Sequence, residues 1–208
     1  MKTEVYKINR NKPDAGSLRK IAAVLKSGGV AVLPTDTVYG LAVNAFNLDA
    51  VSRVYKLKGR SYRKPLVIMA PGIASLEMIA EISSPALKLM EECWPGPLTL
   101  VLPTTACGAM LMGGRKDIGV RIPDDDVMLE LMSYCDFPLA TTSANPSSRP
   151  SAKDGAQAVR YFNDKVDVVL DAGKSMNQRE STVLDMLRFP YVVLREGCLP
   201  SKKLLQYV

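Results

Sequence analysis

A single α/β domain built on a mixed sheet is the fold class this sequence predicts, on three observations. Short apolar runs alternate with stretches in which apolar residues recur at helical spacing. Several strand-like runs follow one another across tight turns, which makes the sheet mixed rather than purely parallel. The 208 residues suit one domain with a real core, and no repeat, low-complexity tract or linker divides residues 1–208.

TEVYKI (3–8) alternates polar and apolar residues like a half-exposed strand. Asp14 is an N-cap for a helix whose apolar set includes Leu18, Ile21, Ala22 and Leu25, and Gly28-Gly29 ends it in the left-handed geometry glycine permits. GVAVLP (29–34) and LAVNAF (41–46) read as strands around PTDTVYG, followed by a helix from about Asp49 to Lys58 with Val51, Val54, Tyr55 and Leu57 near one face. LVIMA (66–70) is a buried strand stopped by Pro71-Gly72, and two short helices precede Trp94-Pro95-Gly96-Pro97. LTLVLP (98–103) and IGVRIP (118–123) are strands joined by a glycine-containing loop, and Asp124 to Asp126 opens a helix with acid at the positive end of its dipole. FPLATTS (137–143) is a strand, and a helix lies near Lys153 to Phe162. VDVVLD, STVLDM and YVVLRE complete the sheet before LPSKKLLQYV, a short terminal helix or tail.

Composition narrows the function. The net charge of +6 favours anionic partners, and the absence of histidine removes imidazole base catalysis and imidazole metal ligation together. Cys93, Cys107, Cys135 and Cys198 are too dispersed for a zinc knuckle or a CxxC redox pair, so buried free thiols are expected. No stretch approaches the roughly 18 apolar residues of a membrane helix, and the N-terminus lacks the apolar region of a secretory signal. A soluble cytoplasmic protein without membrane contact is the expectation.

Chemistry concentrates where strands end. KLKGRSYRK places five cations, Lys56, Lys58, Arg60, Arg63 and Lys64, within nine residues. That is either a helix C-terminus running into a solvated basic loop or a phosphate clamp, with Lys as a point charge and Arg as a planar fork. In TTSANPSSRPS, Thr141, Ser143 and Asn145 would point the same way in an extended chain, a row of neutral groups suited to an amino acid or ribose, although a surface turn explains much of it. PTDTVYG crowds Thr35, Asp36 and Thr37 after Pro34, with Asp36 either a turn residue or a ligand. ESTVLDM and LREG add Ser181 and Arg195 at two further strand ends.

PTDTVYGL, LKGR followed by KPL, PGPLTLVL, IGVRIP, TSAN, ESTV and LREG, in this order, resemble the YrdC-type family of threonylcarbamoyl-AMP synthases over nearly the whole chain. The resemblance implies a YrdC-like twisted sheet with flanking helices around a basic concave cavity, in the short, single-domain form. It implies a nucleotidyltransferase that converts ATP, L-threonine and bicarbonate into threonylcarbamoyl-AMP and pyrophosphate, with Mg²⁺ accompanying ATP and no organic cofactor. A partner threonylcarbamoyl transferase then acts on the tRNA adenosine beside the anticodon. Carried over by motif, Lys58 and Arg60 would hold the triphosphate, and Ser143, Asn145, Ser151 and Arg195 would face the nucleotide. Thr35, Arg121, Thr141 and Ser181 would surround threonine, with Arg121 suited to its carboxylate. Two positions depart from the pattern: Met69 stands where many relatives have histidine, and Asp117 where a hydroxyl residue is expected.

Other readings stay open. A paralogue could keep the fold without synthase activity. The related module of hydrogenase-maturation carbamoyltransferases belongs to large proteins with acylphosphatase and zinc-finger regions. An RNA-binding module could use the basic cavity for tRNA or double-stranded RNA, although no RNP aromatic pattern is present and aromatics are only 6%.

Overall fold

A computed structural model describes residues 2–204. Ten strands form one sheet: β1 (Glu4–Lys7), β2 (Ala31–Leu33), β3 (Gly40–Asn44), β4 (Val67–Met69), β5 (Leu98–Pro103), β6 (Asp117–Arg121), β7 (Leu139–Ser143), β8 (Val168–Asp171), β9 (Thr182–Asp185) and β10 (Val192–Arg195). Their spatial order is β1-β8-β2-β3-β7-β4-β6-β5-β9-β10. Parallel pairs (β1/β8, β2/β8, β4/β6, β5/β9) and antiparallel pairs (β2/β3, β3/β7, β4/β7, β5/β6, β9/β10) are both present, so the expected mixed sheet is observed.

The helices are α1 (Ala15–Lys26), α2 (Leu48–Lys58), α3 (Ala74–Glu77), α4 (Ser84–Cys93), α5 (Ala106–Leu111), α6 (Asp126–Ser133), α7 (Gly155–Phe162) and α8 (Ser201–Leu204). Short polar side chains start most of them. Asp14, Asn47, Ser83, Thr105, Asp125 and Asp154 each accept a hydrogen bond from a first-turn amide, satisfying a donor that the helix leaves unpaired. As expected, α1 buries Leu18, Ile21, Ala22 and Leu25 and stops before Gly28 at φ +89°. Gly59, at φ +61°, ends α2 in the left-handed conformation and turns the chain into the basic loop.

Because strand side chains alternate, each strand feeds both faces of the sheet. Val32, Leu41, Val43, Ile68, Val120, Ala140 and Val169 pack with Val54 and Tyr55 of α2, Leu89 and Met90 of α4, and Phe162 of α7. Their neighbours Ala31, Leu33, Ala42, Met69, Leu139, Val168 and Leu170 pack on the opposite side against Leu18, Ile21 and Leu25 of α1 and Val127, Leu131 and Met132 of α6. The second face is covered by apolar helices only over part of its width. Where that cover stops, the inward positions change character: Leu139 is followed on its own face by Thr141 and Ser143, and the neighbouring strands present Arg121 and Thr99. The functional cleft lies there.

Four expectations need correction. The connection from β5 to β6 is not merely a loop, since it contains α5. Thr105 caps α5, and at Gly108 an added Cβ would lie 1.8 Å from the Ile79 carbonyl oxygen, so only glycine allows this approach. The strand placed at 137–143 begins at Leu139, after Pro138, and the helix placed near Lys153 begins at Gly155, behind its Asp154 cap. All four cysteines are free, but each is partly rather than fully buried. The terminal segment is helical over Ser201–Leu204, and residues 205–208 of that expectation lie outside the described residues. Among the described residues no helix is long and apolar enough to cross a membrane.

Candidate active site

The cleft is a cavity of about 120 Å³ whose floor is Val67 and Met69 of β4, Thr99 of β5, Arg121 of β6, and Thr141 and Ser143 of β7. Thr35, Thr37 and Val38 from the β2–β3 turn form one wall. Arg60, Glu180, Ser181 and Arg195 form another. The LREG turn reaches this wall through Gly197, where an added Cβ would lie 2.2 Å from the Ser181 carbonyl carbon and 2.3 Å from the Glu180 carbonyl oxygen. Glycine there lets the Arg195 segment lie against the start of β9.

One corner is organised around Arg121, which is only 2% exposed. Its Nε donates to the Gly96 carbonyl at 2.9 Å, one terminal nitrogen to Thr37 Oγ1 at 2.9 Å, and the other to Asp36 Oδ1 at 2.5 Å. Three of the five guanidinium donors are thus spent in fixing the side chain, leaving one N–H on each terminal nitrogen. Thr35 Oγ1 lies 2.9 Å from Thr37 Oγ1 and donates to the Val38 carbonyl at 2.7 Å, which holds both hydroxyls at the cleft. Burial pushes the Asp36 carboxyl up and Arg121 pulls it down. For Asp36 burial is the larger effect and its pKa is raised on balance; burial also lowers Arg121 against the attraction of Asp36, but a guanidinium keeps its proton in proteins, so Arg121 stays a cation.

A second buried cation organises the opposite corner. Lys58, at the last position of α2 and 4% exposed, donates to the Ser143 carbonyl (2.6 Å) and Oγ (3.2 Å) and to the Asn145 Oδ1 (2.5 Å) and carbonyl (3.1 Å). Four neutral acceptors share its three protons. Burial pulls its pKa down to about 8, with Arg60 adding to the shift and Glu180 opposing it. Ser143 Oγ also donates to Asn145 Oδ1 at 2.7 Å, so the K-x-R lysine and the S-x-N residues form one closed network. Arg60 behaves differently. Two of its donors go to the Lys64 and Pro65 carbonyls, at 2.9 and 3.0 Å, and its remaining three, beside the cleft, have no hydrogen-bond partner among the described residues.

Along the third side, Arg195 anchors on Ser181 through Nε to the carbonyl (3.0 Å) and a terminal nitrogen to Oγ (3.1 Å), and Ser181 Oγ lies 2.8 Å from Thr99 Oγ1. Ser151 donates to Glu180 Oε1 at 2.7 Å. Burial works to raise the Glu180 pKa, but the Ser151 hydroxyl, its own amide, Arg195 and Lys153 outweigh that, leaving it below the ordinary carboxylate range.

Of the ten residues singled out from sequence, Thr35, Arg60, Arg121, Thr141, Ser143, Ser181 and Arg195 line the cleft. Lys58, Asn145 and Ser151 stand one layer behind, each bonded to a residue that does line it. Asn145 lies beyond the end of β7, so the in-line row imagined for Thr141, Ser143 and Asn145 reaches the cleft only through its first two members. Asp36 is not the simple turn residue that was one of its two readings: it is buried and ion-paired with Arg121. Sequence reading named Thr37 only as part of the crowded PTDTVYG turn, without a role, and missed Thr99 and Glu180. Thr99 had a signal, a hydroxyl inside the otherwise apolar LTLVL run, and Glu180 had one as the acidic neighbour of Ser181. Four cations (Lys58, Arg60, Arg121, Arg195) face two carboxylates (Asp36, Glu180), so the site as a whole is electropositive.

Comparison with known proteins identifies the family. The Sua5_yciO_yrdC family model, described as "Telomere recombination", matches residues 23–197. A threonylcarbamoyl-AMP synthase of Pyrococcus abyssi is 36% identical over 94% of this chain, which spans 58% of that relative. A putative threonylcarbamoyl-AMP synthase of Methanocaldococcus jannaschii is 33% identical over 97% of this chain and 95% of its own length. The crystal structure of P. abyssi Sua5 complexed with L-threonine superposes with a TM-score of 0.95 at 34% identity, over 99% of this chain and 61% of that one. With the model match covering most of the chain, and with relatives above 30% identical over more than nine-tenths of it, the chain belongs to the Sua5/YciO/YrdC family.

Proposed function

We propose that this chain is an L-threonylcarbamoyladenylate synthase, a nucleotidyltransferase that joins ATP, L-threonine and bicarbonate. The observation that carries the reading is the division of labour in the cleft. Arg60 and Arg195 bring guanidinium donors without partners among the described residues to one side, and Arg121, with two such N–H groups, shares the cleft with the hydroxyls of Thr35, Thr37 and Thr141 on the other. The first side suits a polyphosphate, and the second suits a small amino acid with its carboxylate on Arg121. The names of the relatives support the same assignment.

In this reaction the threonine amine adds to CO₂ with loss of a proton, or condenses with bicarbonate with loss of water, to give a carbamate. A carbamate oxygen then attacks the α-phosphorus of ATP, forming the P–O bond as the bond to pyrophosphate breaks. The residues present favour positioning and charge neutralisation over base chemistry, because the chain has no histidine and its cleft cations are preorganised. Thr35, Thr141 and Ser181 would orient threonine, while Ser143, Asn145, Ser151 and Arg195 would seat the nucleotide and Arg60 would receive the triphosphate. Lys58 would act from behind by fixing Ser143 and Asn145 and adding its charge. Among the described residues there is no group of three or more His, Cys, Asp or Glu side chains that could hold a metal ion. Mg²⁺ would arrive on the phosphate oxygens as part of the substrate. The product would pass to a cytoplasmic transferase acting on tRNA.

The decisive assay is pyrophosphate release with ATP, Mg²⁺ and bicarbonate, with and without L-threonine, and with serine as control. Threonine-dependent release is the expected result. Bound ATP without release would identify an inactive paralogue. Tight RNA binding at physiological salt with no ATP binding would replace the reading by an RNA-binding one.

A further inference from the structure

A second cavity of about 340 Å³, roughly three times the cleft, lies on the opposite face of the sheet behind the basic loop. The back of the sheet supplies Ile68 and Ala140, α2 supplies Val51 and Tyr55, and the end of α5 supplies Met112. Its size falls within the range of small-molecule sites. Tyr55 and Tyr62 stack at this cavity with ring centroids 4.3 Å apart, and aromatic rings beside a thioether favour a flat guest over a branched one.

Arg115 is the one charged side chain lining the cavity. One terminal nitrogen holds Asp117 at 2.8 Å, but its Nε is buried and has no hydrogen-bond partner among the described residues. That atom is closed off even to a water molecule, so a ligand oxygen would meet the other terminal nitrogen, which has no hydrogen-bond partner among the described residues. Because Asp117 already offsets part of the charge, one anionic group is the matching complement.

The far wall is also the back of the clamp. Pro65 lines the cavity, and the Tyr55 hydroxyl donates to the Lys64 carbonyl at 3.3 Å. That same carbonyl and the Pro65 carbonyl are the two acceptors that hold the Arg60 guanidinium. Displacing Tyr55 or Pro65 therefore moves the groups that aim Arg60 into the cleft.

We propose that this cavity binds a small molecule with a flat apolar body and a single anionic group, held by Arg115, and that its occupancy shifts Arg60. No residue that would contact this ligand depends on the identity of the molecule the front cleft takes. Benzoate is the probe, titrated into the labelled protein by NMR, with benzyl alcohol as its uncharged counterpart. Saturable shifts centred on residues lining the cavity, with a dissociation constant on the order of 1 mM for so small a probe, are expected. The Arg60 Nε–H resonance should move along the same curve. Arg115→Leu should weaken benzoate at least tenfold, and Val51→Trp, which fills the cavity without touching Arg115, should abolish binding. No saturable shifts, shifts confined to the front cleft, or equal affinity for benzyl alcohol would each overturn the proposal. A stationary Arg60 signal at saturation would overturn its coupling.

Discussion

Arg121 and Lys58 are buried almost equally, at 2% and 4% exposure, yet their partners differ in kind. Arg121 faces a carboxylate, whereas Lys58 faces only carbonyl, hydroxyl and amide oxygens. The guanidinium is fixed, charged and neutralised by its partner. The ammonium is solvated by a protein-made shell and has its pKa drawn to about 8, within reach of ordinary solution conditions. Burial alone does not decide what a cation does. The group placed opposite it decides whether its loss strands a charge and whether its own charge can be lost.

The largest effect should follow from Arg121→Ala. Removing the cation leaves Asp36, 1% exposed and with its second oxygen already unpartnered among the described residues, as a bare buried carboxylate. Breaking such a pair costs about 3–5 kcal/mol, read by urea unfolding. Adding Asp36→Asn to that variant should recover a substantial part of the loss. A cost below about 1 kcal/mol for Arg121→Ala, the range of exposed pairs, would show that water reaches Asp36 and would remove the contrast.

Lys58→Met should be milder, about 1–3 kcal/mol, because it removes donors from neutral oxygens and strands no opposite charge. Ser143 continues to donate to Asn145 Oδ1 and keeps part of the network. If Lys58→Met proves costlier than Arg121→Ala, the distinction between a charged and a neutral partner set fails.

These two corners also show what a sequence discloses. The strands were legible because both faces of this sheet are buried over much of their extent, so Ala31–Leu33 and Leu139–Ala140 read as continuous apolar runs. The helix starts were legible because Asp14 and the Asp124–Asp126 run carry their own capping chemistry. Helix α5 was hidden because its reason for existing, the fit of Gly108 against Ile79, spans 29 positions of sequence. Among site residues, the cations and hydroxyls at strand ends could be named, but not their depth. Lys58 and Arg60 look equivalent two positions apart, and only packing sets one behind the wall and the other at it. The Asp36–Arg121 pairing likewise rests on a separation of 85 residues that no local pattern encodes.

The pH dependence sharpens the contrast further. Lys58 is charged below about pH 8 and neutral above it, whereas an unperturbed lysine would hold its proton to about 10.4. If its charge assists the nucleotide, kcat/KM for ATP should fall as pH rises through about 8, since that parameter reports the free enzyme. Lys58→Arg should carry the fall upward by two units or more, because arginine does not titrate there. A profile that is flat to pH 10 in the unsubstituted protein would reduce Lys58 to a structural strut.

The smallest effect should come from Ser181→Ala, where the comparison can be tested inside one residue. Ser181 holds Arg195 twice, by its carbonyl at 3.0 Å and by its hydroxyl at 3.1 Å, and alanine removes only the second. Arg195 therefore keeps its main-chain anchor and its place on the side of the cleft proposed for the nucleotide. What is lost is one hydroxyl facing the amino-acid side, worth about 1 kcal/mol, or about fivefold in the apparent threonine requirement. The ATP requirement should change by less than about twofold. Equal increases for both substrates would mean that the hydroxyl acts by aiming Arg195, and the boundary between the phosphate side and the amino-acid side would have to be drawn on the other side of Ser181.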